Sequence, residues 1–238
     1  MRNHPNVNPR RDRLVVMLLV AAALVLFTPC INTGTFITHP ESCLRLSLVS
    51  YYRNVPAIFG REFMAHTNGH YRPLSYALLA LARTFVQADN VLFWHLWLVT
   101  FHTLNAVLLF LVMRQFTRHL LAAGLAALLF LTHPLASIFA NQIDQFHYVL
   151  GLTFYLATFL CYVRFVHSRK TGPYLGALML FLAGLMTSKT LLTLPILLLV
   201  YELGYNRTGW RTTLAVSYTH LRAHETSLHL VCRLLLEK

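Results

Sequence analysis

Five long apolar runs divide this chain: residues 14–30, 91–113, 120–138, 146–166 and 174–203. A helix rises 1.5 Å per residue, so about 20 apolar residues cross the roughly 30 Å hydrocarbon core of a bilayer. Four of the runs are close to that length, and the fifth exceeds it with 30 residues. In hydrocarbon every backbone N–H and C=O must be paired within its own segment or barrel, and runs of this length satisfy that as helices. Composition agrees. Of all residues 56% are hydrophobic and 12% charged, against about a quarter charged in an ordinary globular domain. The expected fold class is all-α, a polytopic integral membrane protein.

The charges give this expectation a direction. The net charge of +12 would suggest nucleic acid in a soluble protein. Here the basic residues fall in short bursts between the apolar runs: Arg10, Arg11 and Arg13; Arg114 and Arg118; Arg164, Arg169 and Lys170; Arg207 and Arg211. That distribution follows the positive-inside rule and argues for a lipid bilayer as partner, not nucleic acid. The first run follows a basic N-terminus and ends in Thr28-Pro29-Cys30-Ile31, a poor cleavage site, so it reads as an uncleaved signal anchor with residues 1–13 cytoplasmic. Residues 32–90, with Pro40, Pro56 and Pro73, are too irregular for hydrocarbon and form a large first extracytoplasmic loop. Its end, residues 71–86, reads as a helix lying along the membrane surface. The 30-residue run is split by Ser188-Lys189; two short helices meeting there keep Lys189 at the outer face and Arg207 and Arg211 inside. The count is then about six membrane helices, in a cell inner membrane.

Side chains suited to chemistry gather on the expected outer face. Glu41, Glu62, Asp89 and Asp144 share it with Arg72, Lys189, His39, His66, His70 and His133. A carboxylate base and cationic phosphate binders there could support group transfer. Each also has a plainer reading. Arg83 and Arg72 could snorkel from a surface helix, although Arg72 is wedged against Pro73. Asp144 could be a solvated turn residue, and His133-Pro134 a helix terminator. Lys189 between two apolar half-helices needs a partner for its ammonium, which favours a functional role. No H-x-x-H or HExxH spacing and no cysteine pair supports a metal cage. Cys30 and Cys43 flank the outer loop, where an oxidising compartment would permit a disulfide. The sequon Asn206-Arg207-Thr208 falls on the inner side and would go unused. Neither mid-membrane polar groups nor paired broken-helix repeats of the transporter kind stand out.

Four stretches, HYRPLSYALLALA, FWHLWLVTFHTLNAVLLFLVMRQFT, AALLFLTHPLASIFANQID and LAGLMTSKTLLTLPILLLVYE, occur in an order and spacing that resembles the membrane core of GT-C type glycosyltransferases. The nearest branch is the bacterial mannosyltransferase-like proteins that often carry tetratricopeptide repeats. The resemblance covers residues 10–211 and implies an N-terminal part of such an enzyme, inactive alone, with residues 14–214 as an incomplete GT-C domain. It further implies transfer of a sugar from a polyprenyl-phosphate donor to a glycan or protein acceptor at the outer face, with a divalent metal admitted as cofactor. Lys189 in the "SK" match and Arg72 in the "YRPL" match are the implied phosphate contacts. Relatives carry an acidic pair after the first span; here Glu41 is the acid at that place, and Ile138 stands where a Glu follows the His-Pro, with Asp144 retained nearby. The implied catalytic candidates are therefore Glu41, Glu62 and Asp144, with a non-catalytic relative as the alternative: a transporter, flippase or assembly factor.

Residues 215–238 are polar and rich in His, unlike all that precedes them. VSYTHLRAHET and HLVCRLLLEK back-translate to codons that resemble the two ends of a transposase-type sequencing-library adapter, with Ser227 and Leu228 standing for the index between them. The biological sequence is then expected to end near Leu214, and His220, His224, His229 and Cys232 drop out as metal ligands.

Overall fold

The computed structural model describes residues 9–33, 58–59, 71–87, 90–117 and 119–206, with the side chains at 30–33 and 205–206 left aside. Among the described residues the chain is all-helical. The helices are α1 (Pro9–Thr33), α2 (Pro73–Arg83), α3 (Val91–Phe116), α4 (Leu120–Thr132), α5 (Pro134–Phe139), α6 (Phe146–Ser168), α7 (Thr171–Leu185) and α8 (Leu194–Tyr201). Three segments are long and apolar enough to cross a bilayer: Pro9–Pro29 in α1, Val91–Phe116, and Ile143–Ser168. They mark the chain as a membrane protein.

Local sequence sets the helix ends. Asn90 caps α3, its side chain accepting the Phe93 N–H at 3.0 Å, one of the N–H groups a helix start leaves unpaired. Pro73 opens α2 in the first-turn position that tolerates a missing N–H. α6 stops at Arg169, whose φ of 55° is the left-handed conformation that ends many helices.

One expectation changes at a proline, and another holds. Residues 120–138 do not form one continuous helix: α4 stops after 13 residues, about 20 Å, because Pro134 holds His133 extended at φ −65°, ψ 127°, and α5 starts anew after it. The last run breaks where Ser188-Lys189 had suggested. α7 ends at Leu185, a 3₁₀ turn covers Lys189–Thr193, and α8 follows. α7 and α8 run in opposite directions along α6. Tyr174 of α7 meets Phe165 at 5.2 Å and Gly184 abuts Phe154, whereas on α8 Tyr201 returns to Phe159 at 5.6 Å. A wider π turn, Glu202–Asn206, follows, and there the Tyr162 hydroxyl donates to Glu202 Oε1 at 2.8 Å.

α6 is the central element. α7 and α8 pack on it through Leu156, Phe159, Val163, Phe181, Leu194 and Leu198. α2 and the start of α3 pack on its other end through Leu79, Trp94, Leu98, Phe146 and Leu150. α1 lies against α3 and α4 through Leu19, Ala23 and Phe27. Close approach is achieved with small residues, as expected where lipid tails compete equally for apolar surface. The opposite faces are apolar too: Val25 is 73% exposed, Leu121 80%, Met179 67% and Ile196 65%. Such a continuous apolar exterior is far larger than the patches a soluble monomer exposes.

Candidate functional site

The site forms at the end of the bundle where α6 begins. Two contacts bring the chain together there. The Leu74 N–H donates to the Met186 carbonyl at 3.2 Å, tying the start of α2 to the turn after α7. Gly151 on α6 faces Ser188, and a Cβ built on it would stand 2.6 Å from the Ser188 Cβ. Arg72, Asp144 and Lys189, far apart in sequence, are thereby placed at one end of the molecule.

Arg72 immediately precedes α2. Its guanidinium carbon sits 5.8 Å from the centre of the Tyr148 ring, and its Nε is buried with no hydrogen-bond partner among the described residues. Tyr71 beside it is half-buried, and burial pushes its phenol above the ordinary value, so it stays a neutral hydrogen-bonding group at physiological pH. Asp144 lies in the 3₁₀ turn Ile143–Gln145, one helical turn before Tyr148. Gln145 Nε2 donates to its Oδ2 at 3.3 Å, and His147 Nδ1 lies 3.1 Å from its backbone carbonyl. Lys189 is exposed and opens the 3₁₀ turn. The turn is fixed locally: Thr187 Oγ1 donates to the Gly184 carbonyl at 2.6 Å, and the Ser188 and Thr190 hydroxyls are 2.9 Å apart. Hydroxyls, a guanidinium and an ammonium are donors that suit a phosphorylated ligand, and the Asp144 carboxylate beside them is an acceptor that could take a proton.

Beside this polar end runs an apolar groove of about 500 Å³, walled by Leu129, Phe130, Leu135, Phe139, Tyr148 and Leu152. It exists because α4 stops short and α5 turns away at His133. Its floor is polar, which the sequence reading did not anticipate. Asn105 Nδ2 donates to the Val149 carbonyl at 2.8 Å while its Oδ1 accepts the Thr153 hydroxyl at 2.8 Å. His102 Nε2 lies 3.2 Å from the Leu131 carbonyl, its ring 5.1 Å from Phe130. Both residues are buried midway along α3. The signal available was a His and an Asn three apart in the middle of a mostly apolar span, a spacing that places both on one helix face.

The opposite end of the bundle is held by an ion pair. Arg114 Nε of α3 lies 3.2 Å from Asp12 Oδ1 of α1, with both side chains largely buried. Arg114 NH1 also donates to the Thr117 carbonyl at 3.2 Å. Read from sequence as part of a basic loop, Arg114 is instead a packed tie between two helices.

Glu41 and Glu62 lie outside the described residues, as do Asp89, His39, His66, His70, Arg118, Cys43, the side chain of Cys30, and all of residues 207–238. Among the described residues no three His, Cys, Asp or Glu side chains come together, so those residues alone do not make a cage for a divalent metal. The chain matches no family model, no curated protein and no solved structure.

Proposed function

We propose that this chain is a membrane glycosyltransferase of the GT-C type, moving a sugar from a polyprenyl-phosphate donor to a glycan or protein acceptor at the outer face of a cell inner membrane. The observation that carries this reading is the gathering of Arg72, Asp144 and Lys189 at one bundle end, next to a groove able to take an apolar chain. The accompanying topology has a cytoplasmic N-terminus, about six membrane helices with α4–α5 and the α7–α8 pair counted among them, and residues 32–90 outside.

In this reading the lipid chain lies in the groove and its phosphate reaches Arg72 and Lys189. An acidic side chain, Asp144 or one of Glu41 and Glu62, takes the proton from an acceptor hydroxyl. The hydroxyl oxygen bonds to the anomeric carbon as the bond from that carbon to the phosphate oxygen breaks. The electron pair goes to the phosphate, and the two cations neutralise the charge that develops there. A divalent metal would draw ligands from acids or histidines beyond the described residues as well, with Glu41 and Glu62 as the candidates the resemblance implies.

The test is transfer from a polyprenyl-phosphate sugar, with the protein expressed from its complete gene in a host membrane. Replacing the true base, by Asp144→Asn, Glu41→Gln or Glu62→Gln, should lower transfer by about 10²-fold or more. Lys189→Ala should lower it alongside. Wild-type rates in all four variants would overturn the site assignment; solute movement without any sugar transfer would overturn the enzyme reading. The second reading, a transporter or flippase, draws on the polar floor of His102 and Asn105 at mid-span, the latter hydrogen-bonded to Thr153.

A further inference from the structure

Tyr148 is the residue that the groove and the cationic end have in common. Its ring lines the groove, whereas Arg72 and Lys189 do not. The same ring carries the Arg72 guanidinium at 5.8 Å. On its groove side it meets Phe139 of α5 at 5.5 Å, itself a groove wall, and His147 lies beside it with ring centres 4.0 Å apart. At 40% exposure the ring is not locked by the bundle alone, so what fills the groove bears on where it stands. Arg72 has its Nε buried without a hydrogen-bond partner among the described residues, and its guanidinium carbon stands over the Tyr148 ring.

We propose that Tyr148 is a positioning residue that couples recognition of an apolar chain to recognition of the phosphate attached to it. A chain seated in the groove packs against the phenol ring and holds it against Phe139. The ring then holds the planar guanidinium over its face by cation–π attraction, which fixes its N–H donors for the phosphate. A phosphate without a chain meets an Arg72 held less firmly and is bound less well by more than the chain's own burial. The site thereby distinguishes a lipid phosphate from the soluble phosphates that carry the same headgroup. This inference rests on the donor reading given above.

The test uses the full chain in lipid nanodiscs and two probes, a long-chain polyprenyl phosphate and a short, water-soluble prenyl phosphate. The measured quantity is the ratio of their affinities in each variant; partition of the long probe into lipid is common to all variants and cancels. Tyr148→Phe, which keeps the ring, should leave the ratio within about twofold of wild type. Tyr148→Leu should lower it about tenfold by weakening the long-chain probe. Arg72→Gln gives an independent measure if Tyr148→Leu does not fold: coupling requires that it weaken the long-chain probe more than the short one. Equal weakening of both probes, or an unchanged ratio in Tyr148→Leu, overturns the coupling and leaves the donor reading standing. Failure of wild type to bind the long-chain probe overturns both.

Discussion

Asn105 uses its amide nitrogen and oxygen to join α3 to α6, buried midway along the helix. Replacement by Leu removes both bonds and leaves the Thr153 hydroxyl with the Val149 carbonyl as its acceptor. The expected cost is about 1 kcal/mol, in line with interhelical hydrogen bonds in bilayers, read as a lowered thermal midpoint in detergent. Glycines give sharper outcomes. A Cβ at Gly184 would stand 2.1 Å from Leu191 Cδ2 and 2.9 Å from the Phe154 Cβ, so Gly184→Ala should destabilise by about 1–3 kcal/mol as α7 is pushed from α6. Gly151→Ala strikes the Ser188 Cβ instead and should shift the Lys189 turn. A displacement of about 1 Å there is enough to lower transfer by up to about 10²-fold while the bundle stays folded, as transfer kinetics beside a melting curve would reveal.

At the level of elements, the break at His133-Pro134 creates the groove by ending α4 early. Pro134→Ala restores the missing N–H and frees His133 from its extended conformation, so α4 should run on through α5. The expected result is more helical signal by circular dichroism, unchanged or higher stability, and weaker binding of a long-chain polyprenyl phosphate. Much of this layer was legible beforehand. The starts of α3 and α6 at Val91 and Phe146 follow from hydropathy alone, and the α7–α8 break follows from a charged residue that a single tilted helix would have buried. Two features escaped. Pro134 was recognised as a helix terminator, yet 19 apolar residues still suggested one span, since summed hydropathy ignores a single kink. His102 and Asn105 were diluted by their apolar neighbours, although spacing alone puts them on one face. Pairings such as Arg114 with Asp12, or Arg72 with Tyr148, depend on how helices dock, and no local pattern encodes that.

For the molecule as a whole, the apolar exterior requires an apolar solvent. The protein should stay with membranes through alkaline extraction and aggregate once detergent is removed. The direction of insertion has its own test. With Cys161 and the other native cysteines replaced, Lys189→Cys should react with a membrane-impermeant maleimide from outside intact cells, and Lys170→Cys only after the membrane is opened. The reverse pattern would invert the proposed topology. Loss of the Asp12 to Arg114 pair should loosen α1 from the rest; Asp12→Leu is expected to raise proteolysis between α1 and α2 without altering affinity at the opposite end.

α3 is about 39 Å long, whereas its neighbour α4 is about 20 Å. Where α4 alone faces lipid, the leaflets would have to pinch inward or leave polar groups in oil. Elastic strain of that kind depends on acyl length. In vesicles of graded chain length, turnover in the proposed sugar transfer should be highest in the thinner bilayers and fall as they thicken, which would make the thickness of the host membrane a determinant of where this protein works.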